Sequence, residues 1–324
     1  MASRDHLVRG LWTLFEPIHA VTYFSDESRT AFADIGLTRY WDGYFAGRAA
    51  PLGAVTGAPV TAIFSGFAPM LVERALPAVW ATATPAQVLV ARSVGAASTL
   101  RTLVPDEGVA VQAVAALAPI AAEVDTIGRP LAAANRALPL EADPYRALWQ
   151  AAATLREHRG DGHVLALVTE QIAGLTTIVL RSGLDLDSSS MKRSRGWSDD
   201  EWDAEQSDLV DRGLLDSHGH ITAAGREAID RAEQLTNRLA SAPWSGLSDT
   251  RLLAVATALA PLAKACAPLF PQPNPIGMPS PWDAAADPTG ASVLEAPAPP
   301  SASGMASGPA VGMASMNASG GAIR

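Results

Sequence analysis

The chain contains very little cysteine and lysine, and each scarcity narrows what the protein can be. Its 324 residues include one cysteine, Cys266, which cannot form a disulfide within the chain. A single thiol is typical of a reducing compartment, so we expect a cytoplasmic protein. Only Lys192 and Lys264 are lysines, and the net charge of −9 disfavours broad contact with nucleic acid or with an acidic membrane.

Long apolar runs are also missing. No apolar stretch reaches the roughly eighteen residues that a membrane-spanning helix needs, and the segment 109–120 is interrupted by Gln112 and Pro119. The first residues do not combine a charged leader with an apolar run, so we expect no signal peptide. The sequence therefore predicts no contact with a membrane.

The common nucleotide-binding and nucleophile motifs are absent as well. No P-loop, dinucleotide-binding glycine fingerprint or Gly-x-Ser-x-Gly turn occurs between a strand and a helix. Strand-like sequence is confined to two short pieces around Leu215 and Ile221, which are too short for a sheet core. A Rossmann-type site is therefore not expected, and the sequence identifies neither a cofactor nor a metal.

What the chain does contain is apolar residues at helical spacing along most of its length. This pattern predicts a mainly α fold, with a helical N-terminal bundle followed by a winged helix-turn-helix-like part. We expect a helical domain over 1–104 and a helical region over 105–270, which includes the winged-helix-like part at about 162–240. Proline, alanine, glycine and serine dominate 271–324, which predicts a disordered tail.

Six unusual motifs are spread over about residues 10–245. They are residues 16–24 (EPIHAVTYF), 40–53 (YWDGYFAGRAAPLG), 158–163 (HRGDGH), 195–198 (RGWS), 212–215 (RGLL) and 242–244 (APW). Together they resemble a little-characterised actinobacterial helix-turn-helix family described as SalK-like or SCO-type. The resemblance implies a helical fold with a winged-helix part similar to MarR-type regulators. It implies little about activity, because the family name records a fold rather than a reaction.

The helix that should read DNA is acidic. Residues 199–211 contain no lysine or arginine, whereas affinity for DNA comes largely from cations that release counterions from phosphate. The one basic cluster, Lys192, Arg193 and Arg195, precedes this helix in what we expect to be a loop. These residues are DNA-contact candidates only in an alternative in which a homodimer brings two such loops to one duplex.

Glu16 and His19 form the first candidate site. They lie three residues apart on one predicted helix, so both side chains can reach the same space. A Glu-x-x-His pair supplies metal ligands in helical bundles, but those sites take a second pair, which this chain lacks. A polar or acid–base pair, a metal site and a purely structural pair therefore all stay open, and we take both residues as catalytic candidates.

An aromatic helix forms the second candidate. Tyr40, Tyr44 and Arg48 follow one line down its face, and Trp41 follows the adjacent line. With Tyr23 they would make an aromatic wall whose arginine binds an anionic group, as a small-molecule pocket requires. Half-buried core packing explains the same pattern equally well.

The segment 158–163 predicts a turn between two helices, because glycines permit unusual backbone angles and Asp161 can cap the following helix. Its two histidines can exchange protons near neutral pH. We take His158 as a ligand-binding candidate and His163, which enters an apolar helix, as a catalytic candidate. A capped turn with His158 facing solvent is the alternative.

Three functions fit these features. The first is a cytoplasmic protein that binds a small molecule, and in one version is an enzyme of secondary metabolism, with the winged helix as scaffold. The second is a MarR-like, ligand-responsive regulator that binds DNA. The third is an interaction module without a ligand.

Overall fold

The computed structural model describes residues 5–270 and 280–290. Within these ranges the chain forms fourteen α-helices and no sheet, and one isolated antiparallel bridge joins Leu215 to Ile221. The helices are α1 (Asp5–Phe24), α2 (Asp26–Asp34), α3 (Tyr40–Ala49), α4 (Gly57–Ile63), α5 (Pro69–Glu73), α6 (Pro85–Leu103), α7 (Glu107–Ala122), α8 (Pro130–Arg136), α9 (Pro144–Thr169), α10 (Leu175–Ser182), α11 (Ser188–Arg195), α12 (Asp199–Asp211), α13 (Ala223–Ala240) and α14 (Asp249–Cys266). The predicted mainly α class is confirmed.

The longest helix, α9, lies at the centre of the molecule. Asp143 caps it by accepting hydrogen bonds from the backbone N–H groups of Tyr145 and Arg146, and a proline occupies its first position. Helices α1, α6, α7, α8 and α13 pack against it. Because α9 is surrounded, Leu148 and Trp149 are almost completely buried, and each such side chain contributes about 1.5–3 kcal/mol.

The buried apolar side chains form three clusters. The first joins α1, α6, α7, α9 and α14, the second joins α2 to α6 around phenylalanine rings, and the third holds α10 to α13 together. The first cluster takes residues from both sides of position 104. The division into domains 1–104 and 105–270 stays a prediction.

Helices α11 and α12 form the predicted helix-turn-helix. Gly196 joins them in the left-handed conformation at φ 79°, and Ser198 and Glu201 cap α12 reciprocally. Leu215 and Ile221, where strand-like sequence was predicted, form the isolated bridge that follows. In the described part of the chain this bridge is all that corresponds to a wing.

Two predictions of local structure are wrong. The segment 158–163 is not a turn but part of α9, and its Gly162 allows Arg129 to pack on the helix, since a Cβ there would lie 2.6 Å from an Arg129 nitrogen. The basic residues 192–195 lie not in a loop but in α11, which begins after its capping residue, Asp187.

The segment Asp249–Leu269, which contains α14, is long and apolar enough to cross a membrane by length and composition. In the structure it is a core helix that packs against α1 and α7. Leu252, Val255, Leu259 and Leu262 are buried there. Since an apolar core helix passes the same test, this segment is weak evidence for a membrane span.

Part of the predicted tail packs on the bundle. In residues 280–290, the Trp282 side chain is buried, and its backbone N–H donates to the Thr13 hydroxyl at 2.9 Å. The indole ring lies directly on Gly10, where a Cβ would come within 2.6 Å of it. The rest of the predicted tail, 271–279 and 291–324, lies outside the described residues.

Replacing Trp282 by alanine should lower the free energy of unfolding by about 3 kcal/mol, because it empties a buried aromatic site on α1. Urea denaturation followed by circular dichroism measures the change. Ile127→Ala is the matched control, since Ile127 is 86% exposed and its loss should cost little. Equal stabilities of Trp282→Ala and the unmodified protein would show that this segment is not anchored.

Candidate ligand-binding site

A buried carboxylate organises the centre of the site. Glu157 of α9 accepts hydrogen bonds from Nε and Nη2 of Arg48 at 3.1 and 3.0 Å, and from Nη1 of Arg156 at 2.9 Å. Burial alone would raise the pKa of Glu157, but the guanidinium groups of Arg156 and Arg48 outweigh it and lower the pKa to about 2. Glu157 is therefore ionised at neutral pH and joins α3 to α9.

Three arginines, which we call the arginine cluster, surround Tyr44: Arg48, Arg156 and Arg195. Nη1 of Arg48 donates to the Tyr44 hydroxyl at 3.2 Å, and Arg195 forms a side-chain hydrogen bond with the same residue. Burial alone would raise the pKa of Tyr44, but Arg48, Arg195 and Arg156 outweigh it and hold the pKa below its ordinary value. The three guanidinium groups thus make the Tyr44 hydroxyl more acidic than that of an ordinary tyrosine.

A cleft of about 320 Å³ lies between the bundle and the helix-turn-helix, and we call it the outer cleft. The arginine cluster lines it together with Arg181 of α10. Of the residues predicted for a small-molecule site, those that line it are Tyr23, Tyr40, Trp41, Tyr44, Arg48 and His163.

The aromatic rings on the bundle side of the outer cleft contact one another. The Tyr44 ring centroid lies 5.0 Å from that of Tyr23 and 5.4 Å from that of Phe67. The Trp41 centroid lies 5.6 Å from that of Phe67, and the Arg48 guanidinium lies 3.8 Å from the centroid of Phe64. The sequence pattern of α3 predicted an aromatic surface and an arginine for one site. Both lie on the bundle side of the outer cleft.

A second, smaller cavity of about 60 Å³ lies on the bundle side of Tyr44, and we call it the inner chamber. Tyr23, Tyr40, Tyr44 and Arg48 line both cavities. The remaining lining of the inner chamber includes buried residues of α1, α6 and α9, among them His19. The two cavities thus share a partition made of three tyrosines and one arginine.

Glu16 and His19 do not share one space as the sequence predicts. Glu16 accepts from Nε1 of Trp12 at 3.1 Å and from Nε of Arg156 at 3.3 Å, and it lines neither cavity. Nε2 of His19 instead bonds the Tyr23 hydroxyl at 2.8 Å, and His19 lines the inner chamber. The two side chains contact different neighbours although they are three residues apart on one helix. Spacing alone therefore does not determine their partners.

The two histidines of α9 are also separated. His163 lines the outer cleft and bonds the Thr236 hydroxyl through Nδ1 at 2.9 Å, whereas His158 is buried and lines neither cavity. The expectation that His158 faces solvent is therefore wrong. Burial lowers the pKa of each to about 4, so both are neutral at pH 7. Burial raises the pKa of Asp161, also on the outer cleft, to about 7.

The turn of the helix-turn-helix is attached to the bundle. The Ala68 N–H donates to the Arg195 carbonyl at 2.9 Å, and Nε1 of Trp197 donates to the Gly66 carbonyl at 3.1 Å. The Arg195 guanidinium lies 4.4 Å from the centroid of the Phe67 ring. The turn is therefore held against residues 66–68, and the Arg195 side chain lies on the outer cleft.

The opposite, outer face of α12 is acidic. Its exposed carboxylates are those of Asp199, Asp200, Glu201, Asp203, Asp208 and Asp211. Of the three predicted DNA contacts, Lys192 pairs with Asp199 at 2.5 Å, Arg195 lines the outer cleft and Arg193 is exposed. The structure therefore does not bring the three cations together on one surface.

No group of three or more histidine, cysteine, aspartate or glutamate side chains in 5–270 and 280–290 could hold a metal ion. Sequence reasoning missed Arg92, Arg156 and Glu157, which line these cavities. One signal was available: an arginine and a glutamate are adjacent in the middle of α9, directly after the alanine-rich stretch 151–155.

A family model described as "Helix-turn-helix family" matches residues 8–269 of the chain. No curated protein and no solved structure matches it. The match spans both cavities and the helix-turn-helix, and ends where the described bundle ends.

Stability should fall on acidification because of Glu157. Its pKa is lowered in the folded protein, so its contribution is complete above the ordinary value of 4.5 and is lost as the pH falls towards about 2. In Glu157→Gln, the cluster loses its carboxylate, and the free energy of unfolding at neutral pH should drop by about 3–5 kcal/mol.

Urea denaturation at about pH 7 and about pH 3 checks both points. Glu157→Gln should show a smaller difference between the two pH values than the unmodified protein. Glu141→Gln is the control, because Glu141 is 37% exposed and pairs outside the site. An unchanged pH dependence in Glu157→Gln would contradict the assignment.

Proposed function

The chain belongs to the helix-turn-helix family that matches residues 8–269, and we propose that it is a cytoplasmic protein that binds an anionic, partly apolar small molecule. The outer cleft is the binding site, and the helix-turn-helix forms one side of it. The observation that carries this proposal is the placement of four arginines around an aromatic cleft of about 320 Å³. A ligand pocket typically encloses about 300–1,000 Å³.

The charge of the outer cleft supports an anion. Arg48, Arg156, Arg181 and Arg195 line it. The carboxylates that pair with the first three, those of Glu157, Glu16 and Asp185, lie outside this lining, and among the residues described on it Asp161 has the one carboxyl group. Burial raises the pKa of Asp161 to about 7, so much of its charge is absent at neutral pH. Guanidinium groups suit carboxylate, phosphate or sulfonate because their planar donors match two oxygens at once.

The aromatic rings of the outer cleft support a ligand that has an apolar part. Trp41, Tyr44, Phe64 and Phe67 line the outer cleft on the bundle side, and Ile178 and Met191 line it on the helix-turn-helix side. A purely ionic ligand would gain nothing from these surfaces. An anion with an aromatic or apolar body would use both.

Binding rather than catalysis is the function that the side chains favour. Glu16 is occupied by Trp12 and Arg156 and lines neither cavity. Cys266 is buried, and burial raises the pKa of its thiol to about 12, which makes it a poor nucleophile. We therefore propose no reaction for the enzyme version of this hypothesis.

A ligand-responsive DNA-binding regulator is the second candidate, and the capped α11–Gly196–α12 unit favours it. In that version the ligand would act on Arg195, because this residue belongs to the helix-turn-helix and also lines the outer cleft. The exposed carboxylates of α12 oppose it, since they would be repelled by phosphate.

Anilinonaphthalene sulfonate, an anionic aromatic fluorophore, should bind the folded protein at a saturable site. Arg195→Gln should weaken this binding about tenfold, because it removes one charge-assisted hydrogen bond from the outer cleft. Arg193→Gln, on the same helix but exposed, is the matched control and should bind normally. Fluorescence titration measures all three affinities, and urea denaturation verifies that each variant is folded. Equal affinities would contradict an outer-cleft site.

Duplex DNA from upstream of the protein's own gene should not be retarded by micromolar protein at low salt, where electrostatic binding is strongest. An electrophoretic mobility assay, with and without anilinonaphthalene sulfonate, makes the measurement. Retardation that is lost in Arg193→Gln and altered by the fluorophore would favour the regulator instead.

A further inference from the structure

The inner chamber is small, lies among α1, α2, α3, α6, α8 and α9, and shares only its partition with the outer cleft. Its volume of about 60 Å³ exceeds the roughly 10–15 Å³ that one water molecule needs. It has room for a few waters or for one small anion. Its polar lining distinguishes between these occupants.

Arg92 brings a buried positive charge to the inner chamber. It is 5% exposed, and Nη1 donates to the Gly47 carbonyl at 3.0 Å while Nη2 donates to Asn135 Oδ1 at 2.9 Å and Gln150 Oε1 at 3.2 Å. All three acceptors are neutral. No carboxylate in the described ranges lies within 4.0 Å of Arg92, and its Nε has no acceptor there.

Arg92 is nevertheless charged. Burial lowers its pKa to about 10, which still leaves the guanidinium protonated at neutral pH. An isolated buried charge is expensive unless it is paired. Arg92 is therefore a buried cation with no carboxylate in direct contact among the described residues, and Glu157 of the same chamber acts on it only through space.

His19 also lines the inner chamber and has a ring nitrogen without a hydrogen-bond partner among the described residues. It is 3% exposed, its Nε2 bonds Tyr23, and its Nδ1 has no partner in the part of the chain described. Burial, and then Arg156, hold the pKa of His19 well below its ordinary value, so the ring is neutral. It can offer one N–H or one lone pair, according to its tautomer, but no second charge.

The other charges around the chamber are already paired. Glu157 and Glu16 together balance Arg48 and Arg156. At the exposed edge, Arg29 pairs with Asp26 and Arg39 pairs with Asp42. The remaining imbalance is one positive charge, that of Arg92.

We propose that the inner chamber is a second binding site, which takes the carboxylate group of a small monoanion against Arg92 and His19. One unpaired cation neutralises one negative charge, so a carboxylate matches and a phosphate dianion does not. The Trp149 ring centroid lies 5.1 Å from the Arg92 guanidinium and 5.7 Å from the centroid of the His19 ring, so this indole is in contact with both groups of the site. The site does not depend on the outer cleft, since neither Arg92 nor His19 lines that cleft.

Sodium formate is the probe. At constant ionic strength against sodium chloride, formate should raise the Tm of the full chain by about 3 °C, with saturation, as a ligand that binds only the folded state does. Inorganic phosphate should raise the Tm no more than chloride does. The fluorescence of Trp149 should change with formate concentration along the same binding curve. The variant Trp149→Phe should lose this change, which identifies Trp149 as its source.

Arg92→Gln should abolish the saturable stabilisation. Arg101→Gln is the matched control, because Arg101 belongs to the same helix but pairs with Asp143 on the surface, and it should respond like the unmodified protein. If Arg92→Gln does not fold, Arg92→Lys replaces it and should weaken formate binding at least severalfold, because the planar donors are lost.

Two competition experiments determine whether the carboxylate belongs to a free small molecule or to a larger one. If formate binds without displacing anilinonaphthalene sulfonate, the ligand is a free small carboxylate; if benzoate displaces the fluorophore and competes with formate, it is the head group of a larger molecule that spans the partition. Either result supports the inner site. Formate that acts no differently from chloride, or acts equally on Arg92→Gln, would show that the chamber holds only water and would overturn the proposal, whatever the fluorophore does.

Discussion

The ion-pair network of Glu157 holds the functional part of this protein together. This carboxylate receives Arg48 from α3 and Arg156 from its own helix, and Arg156 also reaches Glu16 on α1. A buried carboxylate is costly unless its charge is compensated and its oxygens accept hydrogen bonds, and here both conditions are met. The same contacts hold Arg48 beside Tyr44, so two members of the arginine cluster and part of the partition between the two cavities depend on one buried charge.

The helix-turn-helix has the usual capping residues and a glycine turn, but it does not stand free of the bundle as a DNA-binding element would. Its turn is hydrogen bonded to the bundle through Ala68 and Gly66, and the basic residue at the end of α11 lies in the outer cleft. The face left to solvent carries carboxylates. These charges support the proposed ligand site on the inner side of the helix-turn-helix and oppose phosphate contact on its outer side.

Much of the helical fold and the positions of several candidate residues could be predicted from local sequence. The i, i+4, i+8 spacing of Tyr40, Tyr44 and Arg48 depends only on helix geometry, and all three line the partition. The segment 158–163 could not be predicted in the same way, because its glycines indicate a turn when read alone. In the structure the segment is helical and Gly162 leaves room for Arg129 to pack on it, and a contact with a residue so distant in sequence leaves no local trace.

The sequence by itself determined the helical class, the helix-turn-helix and the acidity of α12, because helix spacing, capping residues and side-chain charge are local properties. Only the tertiary structure decided that Arg195 faces Tyr44 rather than solvent, that Glu16 serves Arg156 rather than His19, and that Arg92 is buried without a carboxylate. These outcomes depend on which atoms meet across helices far apart in the chain. Desolvation then sets their charges, and desolvation exists only once the helices have packed.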